Sequence, residues 1–245
     1  WGFDNIPMVS MQNDKIIPSP SLDPSQIIEG KAKRTLANRS MAEAVTYSFL
    51  SSQHALLFGG GKDELKLMNP ISSDLDEMRP SIIPNLISSA LKNSNMGNSD
   101  IAIFEVGPQY ADASAEGQQV VAAGIRTGQT AARHWSNVSR SVDVFDVKGD
   151  VVALLEVLGV PVANLQTTVD APNWYHPGRS GVLRLGPNAL AYFGEIHPTV
   201  LRAMNVDYPI MAFEVFLNNL HSPRSKGPNR ALLKLEPLQT CLLYT

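Results

Sequence analysis

Paired strand-like runs joined by turns restrict this chain to a sheet built mostly from antiparallel neighbours. "DIAIFEVGPQY" (100–110) is followed by "QQVVAAGIRTG" (118–128), and "SGVLRLGPNALAYFGEI" (180–196) doubles back at Gly186–Asn188. Alternating apolar residues bounded by Gly, Pro and Asn read as strands and turns, and only antiparallel strands can be joined so tightly. Further strands are expected at 43–51, 63–70 and 210–220. Helical spacing marks Pro24–Arg39, where Asp23 can cap and Pro24 suits the first turn. A short helix in "SQHALLFG" closes at the Gly59–Gly61 run, and longer ones cover 79–97, with Ser81 as cap, and 147–160, stopped at Gly159. Pro198 opens a last short helix. The order does not alternate strictly enough for a doubly wound sheet. The expected fold class is α+β, an antiparallel sheet flanked by helices.

Prolines at 18, 20 and 24 make residues 1–24 an extended linker, because proline fixes φ and pushes its predecessor out of the helical region. The core domain is expected over 25–220. The charged, Pro- and Gly-containing stretch from His221 begins an exit linker, 221–245. With 245 residues and 44% hydrophobic content, a proper core is within reach. A net charge of −3 does not call for a nucleic-acid partner, since phosphate binding normally shows as a basic excess. No apolar run approaches the ~20 residues of a membrane span. The lone Cys241 cannot form an internal disulfide and fits a reducing cytoplasm.

No Walker loop, GxGxxG, CxxC or HExxH occurs, and the five histidines lack ligand spacing, so neither a resident cofactor nor a metal is expected. Four segments carry more information. In "NPISSDLDEMRPSIIPNL", Arg79 stands at a helix mouth, either as an anion clamp or paired with Asp74, Asp76 or Glu77. In "IFEVG", Glu105 alternates with Phe104 and Val106 and faces the other way, to bind an amine or base edge or to meet solvent. In "VDVFDVKGD", Asp143 and Asp146 suit helix capping better than chemistry. "YHPGRSG" and "FGEIHP" set two His-Pro steps about a hairpin, with His176 in the first, and Arg179 and Glu195 able to pair across it. Glycines 178, 181 and 194 permit close backbone approach or positive φ.

Taken in order, "GFDNIP", "NPISSDLDEMRPSIIPNLI", "IFEVG", "VDVFDVKGDVVALL", "YHPGRSG", "GEIHP" and "AFEVFLNNL" resemble the β subunit of bacterial phenylalanyl-tRNA synthetase, from Trp1 to about Leu235. The resemblance implies a degenerate class II synthetase-like core with no catalytic residues of its own. The α subunit would make the phenylalanyl adenylate, with ATP and magnesium, and charge tRNA(Phe) in a cytoplasmic (αβ)2 assembly. "IFEVG" offers Glu105 where an active strand would present an arginine, and "GEIHPTVL" lacks the Gly-rich strand ending in arginine. The Pro24–Arg39 helix and "AEAVTYSFLS" match the family's first class II motif, which builds the intersubunit interface. The isolated chain is then expected to self-associate. The family's acidic magnesium cluster would precede "GFDNIP", and its anticodon-binding domain would follow the divergence after Gln239. The rival reading is a free-standing amino-acid-binding or activating protein, its cleft lined by Arg79, Glu105, His176, Arg179 and Glu195.

Overall fold

A computed structural model describes residues 2–9, 21–131, 134–136 and 139–220. The expectations for 10–20 and 221–245 lie outside those residues. Within them the protein is α+β. Its elements are α1 (Pro24–Asn38), β1 (Ala42–Glu43), β2 (Phe49–Leu50), α2 (Ser52–Leu57), β3 (Glu77–Met78), α3 (Ile83–Asn95), β4 (Ile101–Tyr110), β5 (Gln118–Thr127), α4 (Val144–Val157), β6 (Gln166–Thr168), β7 (Tyr175–Leu185), β8 (Asn188–Ile196), α5 (Pro198–Ala203) and β9 (Met211–Phe216). Seven strands form one sheet in the order β1-β4-β5-β9-β8-β7-β6, and β2 and β3 form a separate pair.

Every neighbouring pair in the large sheet is antiparallel except β1 and β4, which run parallel, Ala42 opposite Ile103. The sheet is therefore mixed at one edge, where sequence alone suggested a uniform antiparallel one. The single strand expected at 43–51 is broken. After Ala44, whose N–H donates to the Phe104 carbonyl, the chain leaves the β4 ladder and resumes pairing only at Phe49, against β3. The strand expected at 63–70 is also absent. A 3-10 turn holds Asp63–Leu65, and one isolated bridge, Lys66 to Glu77, replaces a ladder.

Local capping places the helices. The Asp143 carboxylate accepts from the Phe145 and Asp146 backbone N–H groups, and Asp146 returns the bond to the Asp143 N–H. This capping box starts α4 at Val144, three residues ahead of the periodic signal. The Ser81 hydroxyl accepts from the Ile83 N–H, and α3 begins there rather than at residue 79. The His197 ring nitrogen accepts from Thr199 N–H and opens α5.

Both sheet faces are covered. On one, Ile82, Ile83, Leu86, Ile87 and Ala90 pack with α5 residues Val200 and Leu201 against Val121, Ala123, Ile125 and Ala212. On the other, Ala32 and Leu36 of α1 and Val147, Val151, Leu154 and Leu155 of α4 pack against Phe104, Ala122, Phe213 and Val215. Period-two alternation along each strand supplies the two apolar sets, and each fully buried large aliphatic side chain is worth roughly 1.5–3 kcal/mol.

Candidate functional site

A row of residues crosses the sheet beneath α3. Glu105 on β4 stands opposite Ala123 on β5, Ala123 opposite Glu214 on β9, and Glu214 opposite Tyr192 on β8. Direct antiparallel partners share a face, so two carboxylates lie side by side two strands apart, about 10 Å at ordinary strand spacing. Both are buried. An apolar setting charges heavily for an unpaired carboxylate, and each is compensated differently.

Glu105 is compensated by charge. Its Oε1 pairs with Arg79 Nη1 at 2.8 Å and its Oε2 accepts from the Thr46 hydroxyl at 2.7 Å. Arg79 is 1% exposed; its Nε donates to the Pro108 carbonyl, and its Nη1 also to the Thr46 hydroxyl and the Tyr47 carbonyl. Gly107, two residues along from Glu105 and on the same face, makes room. A Cβ there would lie 2.8 Å from Arg79 Nη2. Arg79 is thus neither an anion clamp nor paired with Asp74, Asp76 or Glu77. Asp76 is held by the Ser52 N–H and hydroxyl, at 2.7 and 2.6 Å, and Glu77 accepts from the Gly61 N–H. Glu105 is correspondingly neither solvated nor open to a base edge.

Glu214 is compensated by hydroxyls. Ser81, already the α3 cap, donates to Oε1 at 2.6 Å, and the buried Tyr175 hydroxyl donates to Oε2 at 3.1 Å. Burial pushes the Glu214 carboxyl up, against the pull of the two hydroxyls. It also pushes the Tyr175 phenol well up, with the Glu214 charge adding to the shift. A carboxyl raised in the folded state keeps its proton above the pH at which the unfolded chain loses it. Its contribution is full below the unfolded value, near 4.3, and declines as pH rises toward the folded one. Glu214→Gln keeps the shape and removes the ionisation. We expect its stability relative to the parent protein to be greater at pH 7 than at pH 4 in urea titrations, starting within about 1 kcal/mol at pH 4. A flat difference across that range would show that Glu214 does not titrate with folding.

The other candidates lie elsewhere. Glu195 stands opposite Met211, which faces α1 and α4, so Glu195 and Glu105 occupy opposite faces of the sheet. Arg179, largely exposed, pairs with Glu195 Oε2 at 2.6 Å across the β7–β8 hairpin, as their spacing suggested. His176 stacks on His197, ring centres 6.1 Å apart, and its Nδ1 accepts from the Gly178 N–H. The five residues therefore do not converge: Arg79 pairs with Glu105, Arg179 with Glu195 on the other face, and His176 stacks on His197. "YHPGRSG" reads as a shaped sheet edge. Tyr175 points inward, Ser180 folds its hydroxyl onto the His176 carbonyl, and a register shift separates them. Bulges and proline on an exposed edge discourage pairing with foreign strands.

Two features had no sequence signal. Asp150 of α4, fully buried, receives Arg39 from the end of α1 and both Nε (2.6 Å) and Nη2 (3.1 Å) of Arg126 on β5, tying three elements together. A cleft of about 1070 Å3 opens beside Tyr47, Phe49, His54, Asp76, Asn85 and Lys92, and none of the five candidates lines it. Burial lowers the His54 pKa there. Beside it the segment from 45 to 49 is conspicuously apolar and outward-facing: Val45 is 86% and Tyr47 65% exposed, and the Tyr47 and Phe49 rings stack at 5.7 Å.

This largely antiparallel sheet flanked by helices agrees with the class II synthetase-like core that the resemblance implies. The fold matches pyrrolysyl-tRNA synthetase from Desulfitobacterium hafniense with a TM-score of 0.61 at 14% identity, over 79% of this chain and 67% of that one. Residues 7–217 match the model of the phenylalanyl tRNA synthetase beta chain CLM domain, and the chain belongs to that family. It is 49% identical over 239 residues to the phenylalanine–tRNA ligase beta subunit of Rhodospirillum rubrum and 45% identical over 239 residues to that of Paramagnetospirillum magneticum. In each case 97% of this chain is covered but only 30% of the relative, so the chain spans about a third of the length of the proteins it matches. Among the described residues no helix is long and apolar enough to cross a membrane.

Proposed function

We propose that this chain is the non-catalytic synthetase-like core of a phenylalanine–tRNA ligase β subunit. It serves in the cytoplasm as the platform on which the catalytic α subunit docks, within an (αβ)2 assembly that uses ATP and magnesium to attach phenylalanine to tRNA(Phe). Its folded body is residues 25–220, between linkers at 1–24 and 221–245. No cofactor is bound by the module itself; adenylate chemistry belongs to α.

The observation that carries this reading is the filled sheet face. Where an open face could cradle a nucleotide, α3 and α5 pack directly on β4, β5 and β9. Arg79, the arginine that reaches the row, is consumed by Glu105, and two strands along stands a second carboxylate, Glu214. Stabilising a transferring phosphoryl or adenylate charge needs preorganised positive groups aimed into a cleft. The row supplies buried, internally satisfied groups instead. Docking through α1 and residues 42–51 is supported by the exposure of Val45 and Tyr47, since large apolar side chains grouped in the open mark contact surfaces. The same surface would drive self-association of the isolated chain.

Pyrophosphate exchange tests the catalytic half of the proposal. The chain alone, with ATP, magnesium and each of the twenty amino acids, is expected to give no exchange above blank. Exchange stimulated by any single amino acid would reinstate the free-standing enzyme.

A further inference from the structure

Past Ala44 the chain from 45 to 48 has left the β4 ladder and has not yet joined β3, although it carries the exposed Val45 and Tyr47. Such a stretch would ordinarily be a loose loop, and a loose loop pays ordering entropy whenever it binds. Arg79 supplies what the missing ladder does not. Its guanidinium holds the Thr46 hydroxyl at 3.0 Å and reaches the Tyr47 carbonyl at 3.4 Å, while its backbone N–H donates to the Ser48 carbonyl at 3.0 Å. From the same fork it grips β4 through Glu105 and the Pro108 carbonyl, and its own carbonyl accepts from the Tyr110 N–H. Asn85 of α3 adds a bond from Nδ2 to the Tyr47 carbonyl. One buried residue thus links three consecutive residues of the exposed segment to the sheet, Thr46 and Tyr47 through its side chain and Ser48 through its backbone.

We infer that Arg79 is a positioning residue for assembly: its guanidinium fork, seated on Glu105 and Gly107, fixes residues 45–48 so that Val45 and Tyr47 are presented to the partner subunit already ordered. The inference rests on the docking role proposed above. A buried ion pair is weak support for stability, because apolar residues of similar volume often replace it without loss. What an apolar replacement cannot reproduce is directional donation to a hydroxyl and two carbonyls, which Arg offers from one rigid plane. Lysine, a point charge on a flexible stem, retains the pairing with Glu105 but not the fork.

Hydrogen–deuterium exchange on this chain, followed by capture on an immobilised phenylalanine–tRNA ligase α subunit, tests it. The pair Arg79→Met with Glu105→Leu removes both charges together and avoids stranding one. Its melting midpoint is expected to stay within about 5 °C of the parent. Exchange over 44–50, and at the Arg79 amide bonded to Ser48, should accelerate at least ~10-fold, as expected when ~1.4 kcal/mol of local ordering is lost. The β7–β8 hairpin should not change. Arg79→Lys should loosen the same segment despite keeping its charge, and both variants should be captured by α at least ~10-fold more weakly. Unchanged exchange over 44–50 in either variant, or acceleration spread evenly over the chain, would overturn the inference. These exchange results need no α subunit. Failure of the unmodified chain to be captured would instead count against the docking role itself.

Discussion

Arg79→Ala is expected to destabilise the protein by about 3–5 kcal/mol, a large fraction of the stability of an ordinary domain. Removing one member of a buried ion pair leaves the other as an uncompensated charge, and that penalty exceeds the net worth of the pair. Here the stranded group is Glu105, 4% exposed between α3 and the sheet, with only the Thr46 hydroxyl left to solvate it. The truncation also opens a void above Gly107 and frees the Pro108 carbonyl. Glu105→Gln on the alanine background should recover part of the loss, because a neutral amide tolerates the site better than a carboxylate. Chemical denaturation of the single and double variants measures both effects. A loss below about 1 kcal/mol for Arg79→Ala would mean that Glu105 finds water or another partner.

Gly194→Ala should cost about 3 kcal/mol or more. Gly194 has φ of 152°, a conformation L-residues rarely adopt. A Cβ there would sit 2.4 Å from Ser180 Cβ, 2.5 Å from Ser180 Cα and 2.7 Å from the Arg179 carbonyl oxygen. Two of these are backbone atoms of the facing strand, so no rotamer change relieves the clash; the hairpin itself must open. Gly178→Ala in the same motif is the internal control. Its nearest neighbour would be His176 Cε1 at 3.6 Å and its φ is ordinary, so a change within about 0.5 kcal/mol is expected. Thermal melts of the two variants decide it. Equal tolerance would refute the reading of this hairpin as a backbone-dictated edge.

The hairpins were legible in the sequence because their pairing is local. The turn at Gly186–Asn188 fixes β7 on β8, and that register brings Arg179 to Glu195. Asp143 and Asp146 were legible as caps for the same reason, their partners lying within one helical turn. What was hidden depends on distant partners. β1, β2 and β3 are two residues each, too short for any period, and their order follows from contacts with β4 or with one another. For Arg79 the sequence offers an anion clamp or acids two to five residues away, yet its partner is 26 positions on, beyond a whole helix. Alternation correctly turned Glu105 away from Phe104 and Val106, but could not reveal that α3 would cover that face too. Asp150 gave no sign of binding Arg39 and Arg126, because a charge inside a helical stretch usually marks its solvated side.

The most direct measurement is co-expression of this chain with the α subunit of Rhodospirillum rubrum phenylalanine–tRNA ligase, alongside the matching segment of that organism's β subunit. Tagged α is expected to retain both in a stable complex, and a variant carrying Val45→Asp and Tyr47→Asp should be retained at least ~100-fold less while melting like its parent, a loss of ~2.7 kcal/mol in binding. Retention of the R. rubrum segment but not of this chain, or equal retention of the aspartate variant, would contradict a platform that docks its catalytic partner through that exposed segment.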